Sequence, residues 1–380
     1  MLNSERLSAI ISKLEKEHIN LYHEISKEEV QKYIANIKDI NSMDKTQFDC
    51  TMLKIFALFN EAHTFYRVDK INLDKKIFFY DGKFYLVEDD KYSEILEFEG
   101  LSPKELFDKM VPLINYETKE YLNILINRDL NNGYIYKMLG LFKDDKLSIK
   151  LENNEKVIVK KDETIDKQNP KKILYYDSKI LGDNIIYIRY KRCRQDPVYP
   201  FDKFVQDVKE QIDLSGSKNF ICDLRDNPGG SSSIVNPLIY LLKEKNMKGV
   251  ALMNNAVFSS GTFAIFDFKK KLNVTLIGDN AGEGIQAYGE FKMGEIDGCK
   301  FSWSTKFFDF NKAMAYADVE KVDVYINSID GFDKNNIMYQ EPFKPDIYVH
   351  NTIDDLKNNY DRQLDYAVSY VKNKTKSVDL

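Results

Sequence analysis

Ser259 and the glycine pair Gly229-Gly230 are the residues whose types and settings best suit covalent chemistry. Ile221 to Gly230 reads ICDLRDNPGG, an apolar run ending in a turn cluster. The glycines place flexible backbone and its N–H groups at the C-terminal edge of the expected strand, where ligands bind in open α/β sheets. A second expected strand, Val250 to Met253, leads through Asn254-Asn255 to Ser259-Ser260-Gly261 and another apolar helix. A serine opening a helix beside a glycine turn can act as a nucleophile next to an oxyanion hole. Ser260 would contribute one backbone N–H, and Gly229 or Gly230 the other. The plainer role for Ser259 is to cap its helix, and Ser260 is the alternative nucleophile.

Such a serine needs a base. The chain has four histidines, His18, His23, His63 and His350. An imidazole titrates at about 6.5, so it can take the serine proton and return it to a leaving amine. His63 follows a helix that carries Phe48, Met52, Ile55, Phe56 and Phe59 at helical spacing, and it precedes the strand-like Thr64 to Val68. A helix-to-strand junction can aim a side chain into a cleft. His18 and His23 are expected to pack or cap, and His350 lies beside a closing strand.

The elements that position these groups follow from pattern. Ser26-Lys-Glu-Glu is a capping box, and Ser102-Pro-Lys-Glu opens a helix to Met110. Ile77 to Val87 folds as a hairpin about Asp81-Gly82, Tyr92 to Phe98 is a strand, and Lys146 to Val159 turns at Asn153-Asn154. Lys119–Arg128 and Gly133–Leu141 are helical. Gln168-Asn169-Pro170 marks a boundary. Beyond it, strands at Ile173–Tyr176 and Ile185–Tyr190, a helix at Phe201–Leu214 and the paired motifs above alternate as in a parallel α/β sheet. Ser231 to Ser233 are expected to cap the helix after the glycines, and 352–371 is helical.

The two motifs together resemble the tail-specific, C-terminal processing proteases and the tricorn core protease. FNEAHTF at Phe59 to Phe65 is similar to the histidine segment of the tricorn-like branch. KPDIYVHNTIDDL is similar to the family's closing strand, and LEKEHINLYHEISKEE to its lead-in helix. The resemblance implies an α/β fold: a crotonase-like catalytic core at 166–380, an N-terminal helical domain at 1–70 carrying the base, and a PDZ-like or reduced α+β insert at 71–165. No glycine-rich carboxylate-binding loop stands in the insert. The processing branch pairs its serine with a lysine, but Gly278 to Gly289 contains none, which favours the histidine branch. The orienting acid that the resemblance implies is Glu341, with Glu290 and then Glu283 as rivals.

The implied activity is peptide-bond hydrolysis through an acyl-enzyme on a peptide or protein substrate, with neither metal nor organic cofactor. Two other functions use the same residues: a non-catalytic peptide- or partner-binding protein, and a hydrolase of non-peptide esters. The 380 residues are 43% hydrophobic and 30% charged, with net charge −5, enough for a large core. No basic stripe suggests nucleic acid, and Lys269-Lys270-Lys271 is expected at a helix C-terminus, where cations complement the dipole. Cys50, Cys193, Cys222 and Cys299 lie far apart, form no CxxC and suggest neither a disulfide scaffold nor a zinc site. The amphipathic N-terminus is no signal peptide and no stretch spans a membrane, so a cytoplasmic location is expected.

Overall fold

The computed structural model describes residues 1–163, 174–310, 325–326 and 340–376. The boundary expected at Gln168-Asn169-Pro170, and Ile173, lie outside them. The chain divides into two compact units. One comprises Met1–Asn169, Ala287–Asp309 and Tyr325–Ile337, and the other Pro170–Gln286, Phe310–Val324 and Met338–Leu380.

The first unit begins with helices α1 (Asn3–Glu17), α2 (Lys27–Ala35) and α3 (Lys45–Ala57). Ser26 and Glu29 form the expected capping box on α2, and Asp44 with Gln47 forms one on α3. The apolar stripe of α3 packs with Leu7, Ile10 and Leu14 of α1 and with Phe301 and Trp303 from far along the chain. Those two residues belong to a three-stranded sheet, ordered β1 (Tyr66–Arg67), β14 (Cys299–Trp303), β13 (Lys292–Ile296). The sequence reading assigned no strands between 292 and 309. Beside them lie β12 (Gln286–Gly289), β15 (Lys306–Asp309) and β16 (Tyr325–Ile326), in the order β12-β15-β16.

A second core in this unit lies under five antiparallel strands: β2 (Lys76–Tyr80), β3 (Lys83–Glu88), β4 (Lys91–Phe98), β5 (Lys146–Leu151) and β6 (Lys156–Lys160). Asp81 and Gly82 both have positive φ, 49° and 77°, as the expected Asp-Gly hairpin requires. Helices α4 (Pro103–Met110), α5 (Lys119–Leu130) and α6 (Gly133–Met138) cover the sheet. Asn127 of α5 and Asn131, the C-cap of that helix, exchange amide hydrogen bonds with the backbone of Phe79 and Ile77, so side chains satisfy the edge strand β2 as a neighbouring strand would.

The second unit is built on a six-stranded sheet in the order β17 (Ile347–Tyr348), β11 (Thr275–Gly278), β10 (Lys248–Met253), β9 (Asn219–Asp223), β8 (Ile185–Tyr190), β7 (Tyr176–Leu181). All neighbours are parallel except β7 with β8. The expected strand at 173–176 instead starts at Tyr176 and runs on to Leu181. Among the described residues this unit also has helices α7 (Phe201–Ser215), α8 (Asn236–Glu244), α9 (Ser260–Leu272), α10 (Ile353–Lys357) and α11 (Arg362–Lys376). Ile221, Val250, Leu252 and Ile277 pack on Ala367 and Val371 of α11, while Phe220, on the other face of its strand, meets Phe268 of α9. Burial on both faces explains the unbroken apolar runs.

Candidate active site

The end of β9 is fixed by a chain of charge-assisted bonds. Arg225 donates to both carboxylate oxygens of Asp223 at 2.8 and 2.6 Å and to both of Asp361 at 2.7 Å. Tyr187 donates its hydroxyl to Asp223 at 2.6 Å, and Gln363 accepts from Arg225 at 3.0 Å. The Arg225 guanidinium resists the effect of burial because these carboxylates hold its proton, and its pKa is raised. The arginine of the motif therefore ties the strand end to the start of α11.

Asn227 then shapes the turn. It is fully buried, and its amide donates to the Tyr190 carbonyl at 2.9 Å. Its Oδ1 accepts from the Gly229 N–H at 3.0 Å. Gly229 and Gly230 have φ of 95° and 143°, which a side chain adopts only with strain. Space also excludes one: a Cβ on Gly229 would lie 2.7 Å from the Ser260 nitrogen, and one on Gly230 would lie 2.2 Å from the Cys193 carbonyl oxygen. The loop after β9 thus lies directly against the start of α9. Cys193 bridges it through the Gly229 carbonyl and the Ser231 N–H, leaving the N–H of Gly230 off that pair.

The two serines have different roles. Ser260 donates its hydroxyl to the Gly230 carbonyl at 2.9 Å. Ser259 occupies the N-cap position, yet its side chain makes no capping bond. Its backbone sits at φ 54°, ψ −129°, a conformation costly for any residue with a side chain. A sharp, strained turn between strand and helix presents a serine hydroxyl outward rather than into the cap. Ser231, by contrast, makes no side-chain cap; residues Ser232–Val235 form a 3-10 turn first, and α8 starts at Asn236 with Pro237 in its first turn.

His63 belongs to the first unit, in the turn between α3 and β1, and is 4% exposed. Its backbone N–H donates to Glu61 Oε1 at 2.7 Å, and its Nδ1 lies 3.8 Å from the same oxygen. Burial lowers the imidazole pKa below the ordinary value, opposed by the Glu61 charge and by the Tyr288 backbone. Glu61 is completely buried. Desolvation alone would raise its pKa, but a hydrogen bond from His18, the nearby His18 and His63 rings and Thr64 bring it to about 2. His18 Nε2 is 3.3 Å from Glu61 Oε2, and Ser304 donates to Oε1 at 3.1 Å. Asn20 donates its N–H to His18 Nδ1 at 2.9 Å, which puts the proton of a neutral His18 on Nε2, facing Glu61. Glu117, also buried, offers a carboxylate to the same cluster.

The structure therefore brings Ser259, Ser260, Gly229 and Gly230 together in one unit and surrounds His63 with carboxylates in the other. Sequence reasoning missed Glu61 and Glu117 and expected His18 to pack or cap. Glu61, two residues before His63 in the same turn, was the available signal. Glu341 forms an ion pair with Lys344, and Glu290 lies 3.1 Å from Lys306. Glu283 is fully buried, and its carbonyl accepts from the Phe343 N–H at 3.1 Å. His350 pairs with Asp279 at 2.7 Å, and Asp279 also accepts from Gln363 at 2.9 Å. Asp346 of the closing segment accepts from the Leu276 N–H at 2.9 Å and so pins β17 to β11. All four cysteines are free thiols. Among the described residues no helix is long and apolar enough to cross a membrane.

No family model and no curated protein matches the sequence. Solved structures do match. Mature CPAF complexed with lactacystin is similar over 99% of this chain and 98% of its own, with TM-score 0.63 and 12% identity. Another structure of mature CPAF matches over 94% and 93%, with TM-score 0.55 and 13% identity. A protein of Parabacteroides merdae, described as a peptidase, matches over 98% and 97%, with TM-score 0.51 and 13% identity. These likenesses establish a shared mixed α/β fold with several sheets, in agreement with the motif resemblance to the tail-specific proteases.

Proposed function

We propose that this chain, whose fold is shared with mature CPAF, is a serine peptidase. The observation that carries the reading is the strained Ser259 backbone set against Gly229, with a hydroxyl that does not cap its helix. In this reading Ser259 Oγ attacks a peptide carbonyl carbon while His63 takes its proton. The oxyanion that forms is held by the Ser260 amide and one glycine amide. Gly229 spends its N–H on Asn227, which favours Gly230 as the second donor. The C–N bond breaks as His63 returns the proton to the amine. Water, deprotonated by His63, then releases the acyl group from the serine ester.

Glu61 is the carboxylate proposed to orient His63, since it already holds that residue's backbone, while Glu341 is engaged with Lys344. The parallel-sheet unit is proposed as a crotonase-like core and the five-stranded region as a reduced PDZ-like insert. A cavity of about 700 Å³ beside Ala62, Phe65 and Tyr66 runs along the edge strand β1 and is the proposed seat for an extended peptide, which can pair with such an edge. The test is incubation with unfolded protein substrates and mass spectrometry of the new termini. The native chain should generate termini that Ser259→Ala does not. Equal cleavage by both would reject the assignment.

A further inference from the structure

We propose that Glu61, His63 and Glu117 form a binding site for one divalent transition-metal cation, with zinc the best chemical fit. The three residues offer ligand atoms that all lie within 4.8 Å of one another, and all three are buried. Two carboxylates in a space closed to water demand positive charge. His18 and His63 both lie beside Glu61, and a dication neutralises the two carboxylates without a proton on either ring, leaving His63 neutral, the form that binds a metal. Two oxygens and one imidazole nitrogen, with a position left for water, match a three-ligand zinc site.

The setting is rigid where a site needs rigidity. Asn115 accepts from the Glu61 N–H at 2.7 Å and donates to the Thr64 carbonyl, clamping the 61–64 turn to the segment that carries Glu117. Ser302 donates to the His63 carbonyl at 2.6 Å. His18 Nε2 and the Ser304 hydroxyl hold the two oxygens of Glu61, as outer partners do for metal-bound carboxylates. Zinc bonds of about 2.0–2.1 Å place tetrahedral donors about 3.3 Å apart. The His63 Nδ1 to Glu61 Oε1 separation is 3.8 Å, and all three ligand atoms lie within 4.8 Å of one another, so a bound ion draws the donors slightly closer.

The consequence rests on the peptidase reading: a metal on the His63 lone pair leaves no base for Ser259, so the ion is an inhibitor. The test is equilibrium dialysis of the full chain against zinc chloride, with bound metal counted by mass spectrometry. One zinc per chain at micromolar concentration is expected. Glu117→Gln and His63→Gln should each weaken binding at least about tenfold, with folding checked by circular dichroism. No zinc above a protein-free control, or binding unchanged in both variants, overturns the site. Separately, zinc should suppress fluorophosphonate labelling of Ser259 in the native chain but not in Glu117→Gln. Labelling unchanged by bound zinc overturns the inhibitory role. Bound zinc in a chain that never labels keeps the metal site and rejects only the peptidase reading.

Discussion

The serine loop and the histidine pocket are built from different materials. The loop is made by backbone: two glycines at positive φ, an asparagine that folds the turn, and a serine held at φ 54°. The pocket is made by buried side chains from four separated stretches, represented by His18, Glu61, Glu117 and Ser304. A backbone device tolerates few residue types and must be contiguous, so it leaves a local signature. A side-chain device can be assembled from anywhere, and only the fold discloses it.

Four substitutions would break or sharpen that contrast. Ser259→Ala should lower peptide hydrolysis by about 10⁴-fold or more, with unchanged folding, in a steady-state assay. Arg225→Ala removes the clamp behind the loop and deprives the buried Asp223 of its ion-pair partner. Denaturant unfolding should show a loss of about 3–5 kcal/mol. Gly229→Ala forces a Cβ onto the Ser260 amide and should lower kcat by about 10²–10³-fold while KM changes little. If this variant keeps full activity, the loop is not the oxyanion device.

Glu61→Gln, which acts through the base it orients, is expected to lower the rate by about 10²-fold and to give the most informative pH dependence. The His63 pKa is lowered by burial, so the acid limb of the kcat/KM profile should lie below about 6.5. Glu61 opposes that lowering, so its removal should move the limb to still lower pH. Stability follows the same linkage. The Glu61 carboxylate is depressed to about 2 in the fold, so its contribution is present above the ordinary glutamate pKa and is lost as pH falls from there toward 2. His23, lowered to about 4 by burial, costs stability as pH falls below about 6.5, because only the unfolded chain takes up its proton readily. Melting curves between pH 7 and 3 for the native chain and Glu61→Gln check both signs.

Legibility in the sequence follows the same division. The strand at Asn219–Asp223, the glycine turn, the Asp81-Gly82 hairpin and the helix caps at Ser26 and Ser102 are local, and each was readable. The capping role expected for Ser231 was not found, since Asn236-Pro237 is the stronger start signal. The strands from 292 to 309 were missed although Asp297-Gly298 carries the hairpin signal of Asp81-Gly82, with φ of 46° and 83°. The apolar faces of β13 and β14 complete a core begun by α1 and α3, more than two hundred residues earlier, and so have no local meaning. The acid beside His63 was sought near the closing strand by resemblance, while Glu61 stood two residues away, hidden because periodicity cannot tell a buried carboxylate from a solvated one.

The central claim is an activated serine with His63 as its base. It is tested most directly by fluorophosphonate labelling read by mass spectrometry on the native chain, Ser259→Ala and His63→Ala. The account predicts one modified peptide carrying Ser259, abolished in both variants. No labelling of the folded native chain, or labelling at Ser259 that survives loss of His63, would contradict it.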